Sequence, residues 1–449
     1  MKLIYGIEDK PKFGQLIVFA FQQLLAILAA TIAVPAIIQN GMSQSAALFG
    51  AGVGTIVYLL FTKFKSPVFL GSSFAFLGSM FAAFAGAVSV EAGYAGIIIG
   101  AIFAGLVYVV LAIIVKYAGV EWINKLMPPV VTGPTVAIIG LSLAGNAIGD
   151  MLKFAEVDSQ NAVYIMSTKG WIGFLCGLVT LFVVVLCSVY GKRMVKLIPF
   201  VIGILAGYVV AAVFTVIGNI TSNEALQIID FSLFNNMKWV PDFTFLTAAK
   251  GMSKIDAKYI ATVAVAYVPV AFVVFAEHIA DHKNLSTVIG KDLLTTPGLH
   301  RTLLGDGVGS MVGAVFGGCP NTTYGESVGC VAITGNASVI TILATAVMAI
   351  VISFFGPFVT FLATIPSCVM GGVCVTLYGF ISVSGLKMVQ EVDLNENKNL
   401  FVVSVILIAG IGGMTLKISQ VTLTEIACAL ILGIVTNLML SGKKTNKKN

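Results

Sequence analysis

The chain has 449 residues, of which 58% are hydrophobic and 10% are charged, and its formal net charge is +6. A water-soluble domain of this length has too little interior to bury so many apolar side chains, so a soluble globular fold is excluded and a lipid bilayer is the expected solvent. The modest positive charge requires no nucleic-acid partner.

The N-terminal half of the sequence contains a series of apolar runs. A helix needs about 20 residues to cross a hydrocarbon core about 30 Å thick. The first run, 13–38, is too long for the apolar part of a signal peptide and lacks a small-residue cleavage site behind it, so we expect it to be retained. Breaks at Gly, Pro and charged residues divide this half into seven predicted spans: 13–38, 44–62, 66–86, 93–117, 122–148, 171–190 and 195–220.

A polar stretch, 221–257, separates these spans from a second set of seven. With fourteen spans, both termini lie on one side of the membrane, and most of the 26 Lys and Arg residues fall on that side. The positive-inside rule therefore predicts cytoplasmic termini in a multi-pass protein of the cell membrane. The second set covers 258–284, 301–317, 320–334, 337–356, 360–385, 398–416 and 421–441.

The two halves of the sequence resemble each other. The pattern L-x-G-x-G-V-G-[TS]-x-V occurs at 48–57 and again at 303–312, and two shorter similarities follow the same order. Because each half has an odd number of spans, the second repeat must run inverted, which is typical of transporters. The predicted fold is all-α, with a first repeat at 1–220, a linker at 221–257, a second repeat at 258–441 and a basic tail at 442–449. The shorter similarities pair 72–75 with 322–325 and 128–133 with 366–371.

Spans three and ten are predicted to be interrupted. Each begins with a proline, Pro67 or Pro320, followed by hydroxyl side chains and an aromatic residue. Corresponding interrupted spans are where inverted-repeat transporters bind substrate, because free backbone N–H groups at a half-helix start can donate to a ligand. We therefore expect a short extended segment and a half-helix in each span. The alternative is that both segments are loops between ordinary helices.

Acidic residues inside apolar spans are candidates for a functional site, because their insertion into a membrane costs about 2.5–3.5 kcal/mol. Glu326 is one, and Glu277 and Asp281 share a helix face at i, i+4. Joint ionisation of such a pair is unfavourable, so one member could bind a proton and carry a coupling ion. Glu277 could instead mark a cytoplasmic helix end unless the helix continues to Gly290. His282 is a weaker candidate, expected to face the cytoplasm.

Other motifs do not predict catalysis. The seven cysteines form no CxxC pair and lie in apolar segments, which indicates packing rather than disulfides or a metal site. The glycine pairs Gly50/Gly54 and Gly305/Gly309 are GxxxG matches that predict close helix packing. No nucleophile elbow, HExxH motif or Walker loop is present. We therefore expect neither an enzyme nor a metal or cofactor.

Several motifs resemble the nucleobase/ascorbate transporter family, and within it the bacterial uracil permeases. The resemblance covers the whole chain and includes the family signature [QEP]-N-x-G-x4-T-[RKG] from Glu326 to Gly335, where Ser327 replaces the usual Asn. The strongest matches are Gly-Ser-Ser-Phe-Ala-Phe at 71–76, Ala-Glu-His at 276–278, Lys-Asp-Leu-Leu at 291–294, Pro-Gly-Leu-His-Arg at 297–301 and Pro-Asn-Thr-Thr-Tyr-Gly-Glu at 320–326.

The resemblance implies a core domain of spans 1–4 and 8–11 and a gate domain of spans 5–7 and 12–14, often in a homodimer. It implies uracil import by proton symport, with Glu277 and Glu326 accepting the ring N–H groups. It assigns Asp281 to a position where related permeases have His, so proton handling could shift to the Glu277/Asp281 pair. The remaining implied substrate contacts are the backbone N–H groups of Phe74 and Gly325, with Tyr324, Ala30 and Tyr378 around the pocket.

Three alternatives remain open. A purine permease for xanthine or urate belongs to the same family, but the Thr-Thr-Tyr-Gly-Glu segment at 322–326 is typical of uracil permeases. An anion exchanger of the same fold should avoid two acids at its site or add an Arg there. A membrane-embedded enzyme would need a nucleophile or metal cluster.

Overall fold

The computed structural model describes residues 3–119, 128–158, 163–192, 194–418 and 421–441. The basic tail at 442–449 and the beginning of the predicted span 122–148 lie outside the described residues. The first half contains α1 (Phe13–Ile38), α2 (Gln44–Phe61), β1 (Leu70–Ser72), α3 (Phe74–Ala85, whose first turn is 3-10), α4 (Val90–Ala118), α5 (Pro129–Ser142), α6 (Ala144–Met151), β2 (Glu156–Asp158), β3 (Val163–Ile165), α7 (Thr168–Tyr190) and α8 (Pro199–Thr221).

The linker contributes one α-helix and three 3-10 turns, at Glu224–Leu226, Phe231–Asn236 and Met252–Lys254. The later α-helices and strands are α9 (Thr244–Gly251), α10 (Ala257–Ile289), α11 (Leu299–Gly317), β4 (Asn321–Thr323), α12 (Gly325–Thr334), α13 (Val339–Ile352), α14 (Gly356–Thr364), α15 (Ser367–Gln390), α16 (Asn397–Ile411), β5 (Leu416–Ile418), β6 (Val421–Leu423) and α17 (Glu425–Ser441).

The apolar helices confirm a mainly helical, multi-pass membrane protein. Within the described ranges, eight helices are long and apolar enough to cross a membrane. There are nine if α13 and α14, which meet at an 83° bend, are counted as one span. Large hydrophobic side chains remain exposed along these helices, as expected where lipid rather than water surrounds them.

The predicted extended segments of spans three and ten are present. β1 and β4 pair antiparallel, with Gly71 opposite Thr322 and Ser72 opposite Asn321. Pro320 also accepts a hydrogen bond from the Ser73 backbone N–H, at 2.9 Å. This backbone pairing provides hydrogen-bond partners for N–H and C=O groups that a non-helical segment would otherwise leave unsatisfied inside the membrane. A half-helix begins directly after each strand, so the alternative of simple loops is wrong.

The repeated glycine motif is a helix-packing surface. A Cβ added to Gly54 on α2 would lie 2.7 Å from the carbonyl oxygen of Gly309 on α11, and one added to Gly309 would lie 2.7 Å from that of Gly54. A Cβ added to Gly50 would lie 2.5 Å from the carbonyl oxygen of Gly313 on α11. The absence of side chains lets the two helix backbones approach closely. This packing holds β1 and β4 between their flanking helices.

Helix α10 places the acidic pair well inside the protein. Asp256 caps its first turn by accepting a hydrogen bond from the Tyr259 N–H at 2.7 Å, and the helix continues for 33 residues. It ends at Gly290, whose φ of 69° suits a residue without a side chain. Glu277 therefore lies about three turns before the helix end, and the alternative of a cytoplasmic helix end is wrong.

Some predicted spans differ from the structure. The predicted spans 398–416 and 421–441 are shorter there, because α16 ends at Ile411 and α17 begins at Glu425. The run 360–385 was expected to be a single helix, but α14 ends at Thr364 and α15 begins at Ser367. Pro366 precedes α15 and disfavours helical backbone at Ile365, which is extended with a ψ of 118°. Pro128 directly precedes α5 as Pro366 directly precedes α15, consistent with their repeated motif.

Candidate functional site

Two helix starts at the ends of the paired strands provide free backbone donors. Neither Ser73, before α3, nor Tyr324, before α12, makes a side-chain capping hydrogen bond. Gly325, the first residue of α12, is exposed although the strand before it is buried. The first N–H groups of a helix have no partner within the helix and carry its positive dipole end. These two starts can therefore bind carbonyl oxygens or other electron-rich groups.

The structure brings the three predicted acidic residues together beside the start of α12. Glu277, Asp281 and Glu326 are close enough for their charges to interact. The Thr323 hydroxyl donates to Asp281 Oδ2 at 2.8 Å, and a Cβ added to Gly325 would lie 3.8 Å from Asp281 Oδ1. Carboxylates beside free N–H groups form a surface that both accepts and donates hydrogen bonds.

An aromatic pair from different helices lies near this start. The rings of Phe74 on α3 and Tyr378 on α15 meet edge to face, with centroids 6.0 Å apart. The Tyr378 hydroxyl is buried and makes no hydrogen bond with the part of the chain that the structure describes, so it is available to a ligand. Ala30 on α1 is buried, at 1% exposure. That these residues contact a substrate stays a prediction.

Tyr324 has a structural contact that the sequence did not indicate. Its hydroxyl donates to the Ser72 backbone oxygen at 2.9 Å, and its ring lies against the position where Gly71 lacks a side chain. Tyr324 therefore joins α12 to β1. Its predicted place in the substrate pocket stays a prediction.

A buried His–Asp pair lies directly behind the acidic cluster and was missed by sequence reasoning. His278 Nδ1 lies 2.7 Å from Asp306 Oδ2, and His278 Nε2 lies 2.9 Å from the Thr302 hydroxyl. That hydroxyl donates to the Leu299 carbonyl, so it accepts from Nε2, which must carry a proton. If one further proton is shared between His278 Nδ1 and Asp306 Oδ2, the His–Asp pair carries no net charge. A lone Asp in apolar span nine was the available signal.

His282 was expected to face the cytoplasm, and this is wrong because the side chain is fully buried. Its Nδ1 lies 2.8 Å from the His278 carbonyl oxygen and must be the donor, since a carbonyl only accepts. Its Nε2 lies 2.7 Å from the Tyr58 hydroxyl, which is also 2.7 Å from the Ser66 hydroxyl. This chain of hydrogen bonds ties α10 to α2.

Ser327, which departs from the resembled signature, joins three segments. Its Oγ accepts a hydrogen bond from Gln23 Nε2 of α1 at 2.5 Å and one from the Phe69 backbone N–H, before β1, at 3.1 Å. Gln23 and Ser327 are both buried. The sequence alone gave no signal for Gln23, which lies 304 positions away.

A cavity of about 440 Å³ lies between the α1–α2 corner, the linker and the beginning of α15. It reaches Pro35 on α1 and Met370 on α15. At 1.5 Å per helical residue, these positions are about 8 Å along α1 from Ala30 and about 12 Å along α15 from Tyr378. The cavity is thus on the linker side of the candidate site. Further lining residues include Gln39, Gln44, Asp150, Asn236, Lys238, Asp242 and Ala363.

Comparison with solved structures shows the same fold in membrane transporters of low sequence identity. The transmembrane domain of a cyanobacterial bicarbonate transporter, BicA, is similar with a TM-score of 0.60 and 16% identity, covering 96% of this chain and 100% of that one. The murine Solute Carrier 26 family member A9 anion transporter, in the inward-facing state, gives a TM-score of 0.65 and 10% identity, over 97% of this chain and 69% of that one.

Sequence comparison finds full-length relatives. A family model described as "Permease family" matches residues 14–419. The uracil permease of Bacillus caldolyticus is 39% identical over 100% of this chain and 97% of its own length, and that of Bacillus subtilis (strain 168) is 36% identical over 99% and 96%. The uracil permease of Escherichia coli (strain K12) is 34% identical over 97% and 93%. The chain therefore belongs to the nucleobase/ascorbate transporter family of permeases.

Proposed function

We propose that this permease imports uracil together with a proton. The observation that carries the proposal is the cluster of Glu277, Asp281 and Glu326 beside the uncapped, exposed start of α12. The names of its full-length relatives support uracil as the substrate.

Uracil is chemically complementary to this site. Its ring alternates N–H donors with carbonyl acceptors, so it needs carboxylates and N–H groups side by side. In the proposed complex, Glu277 and Glu326 accept from the ring N–H groups. The backbone N–H groups of Phe74 and Gly325 donate to the carbonyl oxygens, and Tyr378 and Ala30 line the pocket. No cofactor takes part.

The same acids provide the proposed coupling. Three neighbouring carboxylates in a membrane interior cannot all be charged at low cost, so at least one takes up a proton. Asp281 is the proposed carrier together with Glu277 and Glu326, because it is buried one helical turn from Glu277 and beside the start of α12. A potential of 100 mV adds about 2.3 kcal/mol per charge moved inward, or roughly 50-fold accumulation of a neutral solute.

Alternating access follows from the proposed architecture of fourteen spans in two inverted repeats. The similarity between 72–75 and 322–325, extended back by one residue, relates Gly71 to Asn321 and Ser72 to Thr322. A two-fold axis would therefore interchange the Gly71–Thr322 and Ser72–Asn321 strand pairs. The reciprocal Gly54–Gly309 contact fits the same axis. The core domain would carry substrate past the gate domain, with the cavity opening to the outside and both termini in the cytoplasm. A homodimer remains part of the proposal.

Two other functions are less consistent with the site. A purine permease would use the same fold, but the relatives described above are named for uracil. Anion exchange would be consistent with the fold of the bicarbonate and anion transporters. Three acids at the site would repel an anion, and the chain has just two arginines, Arg193 and Arg301. Arg301 donates to the Phe61 carbonyl, at the far end of α2 from the cavity.

Uptake of labelled uracil by proteoliposomes tests the proposal. An inside-alkaline pH gradient should accelerate uptake and produce accumulation above the external concentration, and excess unlabelled uracil should compete. Xanthine and bicarbonate serve as competitors for the two alternatives. Uptake that ignores the gradient would refute coupling, and competition by xanthine but not by uracil would refute the substrate.

A further inference from the structure

We propose that Gln23 is a positioning residue for the substrate site, acting through Ser327 on the first turn of α12. The inference rests on the proposed function, because it concerns the turn that carries Glu326. Gln23 comes from α1, whereas Ser327 follows Glu326 directly, so the contact joins the helix that also carries Ala30 to the acidic part of the site.

The acceptor capacity of Ser327 is fully used. A hydroxyl oxygen has two lone pairs, and the Ser327 Oγ accepts from both Gln23 Nε2 and the Phe69 N–H. Gln23 Nε2 also lies 3.3 Å from the Ser327 carbonyl oxygen. Gln23, Ser327 and Phe69 are each exposed by 2% or less. Water therefore cannot replace a lost partner without a rearrangement of the packing.

Phe69 makes hydrogen bonds through its backbone to Tyr324 and Ser327, the residues on either side of Gly325 and Glu326. The Phe69 N–H donates to Ser327, and the Phe69 carbonyl accepts from the Tyr324 N–H at 3.2 Å. Gly325 and Glu326 lie between these two anchor points. Their N–H groups and the Glu326 carboxylate are therefore directed by the anchors, which is the usual role of a buried residue that supports a binding group.

The pair also accounts for the departure from the family signature. The resembled pattern has Asn at position 327, whereas this chain has the shorter Ser. A serine has no amide group, and the amide N–H in this chain comes instead from Gln23, which reaches Ser327 from α1. Gln23 and Ser327 would then act as a unit and should not respond independently to substitution.

The test compares Gln23→Leu, Ser327→Ala and the double variant in proteoliposomes, with Gln22→Leu as the matched control. Gln22 is the neighbouring glutamine, and its buried Oε1 has no hydrogen-bond partner among the described residues. We expect Gln23→Leu to raise KM for uracil about tenfold, with the maximal rate per folded molecule within about twofold of wild type, as for a lost buried hydrogen bond. The double variant should be no worse than the poorer single variant.

Discrimination among ligands separates positioning from general packing. If the turn holds Glu326 against a ring N–H, wild type should discriminate against 1-methyluracil or 3-methyluracil, and Gln23→Leu should reduce that discrimination. A second variant, Gln23→Ala with Ser327→Asn, returns an amide to position 327 and should restore KM to within about threefold. This variant keeps the test decisive if Gln23→Leu does not fold.

Any one of three results would overturn the inference. They are an unchanged KM in Gln23→Leu, additive effects in the double variant, and failure of Gln23→Ala with Ser327→Asn to restore KM. A wild-type protein that transports xanthine rather than uracil would refute the proposed function instead, and the same variants would then be compared with xanthine as the ligand.

Discussion

Gly54 of α2 and Gly309 of α11 face each other across a backbone contact in which neither residue could carry a side chain. A Cβ on either one would approach the carbonyl oxygen of the other to 2.7 Å, which is shorter than real Cβ contacts allow. The two glycines occupy the same position in the repeated motif. This close helix contact therefore joins equivalent positions of the two halves.

Gly54→Ala and Gly309→Ala should both destabilise the protein. Relief of the contact requires the helix backbones to separate, and overpacking of this kind costs about 1–3 kcal/mol. The expected observation is a lower midpoint of thermal unfolding in detergent and a smaller folded fraction. Gly329→Ala and Gly379→Ala are matched controls, because among the described residues no atom beyond the adjacent helix backbone lies within 4 Å of a Cβ at either position. Equal midpoints for all four variants would contradict this account of the motif.

Glu326→Gln should abolish tight uracil binding. The amide keeps the size of the side chain, but it replaces a charged acceptor with a neutral one, and hydrogen bonds to charged groups contribute about 1.5–3 kcal/mol. This corresponds to a loss of roughly 10- to 150-fold in affinity, measured by equilibrium binding to purified protein.

Glu391→Gln is the control for Glu326→Gln, since Glu391 follows α15 and is exposed. Glu277→Gln should resemble Glu326→Gln. Full affinity in both site variants would remove these two acids from the proposed contacts, whereas weak binding in the Glu391 variant would indicate a non-specific effect.

Several parts of the fold and of the candidate site were predictable from the sequence. The bounds of α1 agree with the predicted span 13–38 because its apolar run is uninterrupted. The broken spans followed from Pro67 and Pro320 with hydroxyl side chains after them. Glu277 and Asp281 were recognisable because acids are costly in an apolar run.

Other parts depend on packing between distant segments. The break before α15 was missed although Pro366 marks it, because a proline between apolar segments can either kink a helix or end it. The Gln23–Ser327 and His278–Asp306 contacts join residues on different helices. Neither contact produces a repeating pattern in the sequence, because the packing of separate helices brings its two residues together.

Asp281→Asn should separate uracil binding from proton coupling. Asn retains an oxygen that can accept from the Thr323 hydroxyl, so the start of α12 should keep its position. It has no titratable group. We expect wild-type uptake to rise as the outside is acidified, because more carriers are then protonated, and the variant to lose most of this dependence while binding uracil within a few fold of wild type.

Thr323→Val is the control for Asp281→Asn, because it removes the hydrogen bond between the two residues but keeps the carboxyl group of Asp281. Its uptake should still increase at acidic external pH. If Asp281→Asn keeps the wild-type pH profile, Asp281 is not the proton carrier, and the proposed role passes to Glu277 or Glu326.

Cysteine labelling tests which side of the membrane the 440 Å³ cavity faces. Ala363 is exposed and lines the cavity, whereas Glu391 lies at the opposite end of the neighbouring helix α15. With cytoplasmic termini, a membrane-impermeant maleimide added to intact cells should label Ala363→Cys and spare Glu391→Cys, which should react after the cells are opened. Wild type is a suitable blank, since six of its seven free cysteines are buried and Cys187 is partly buried. The reverse labelling pattern would place the cavity and the linker in the cytoplasm.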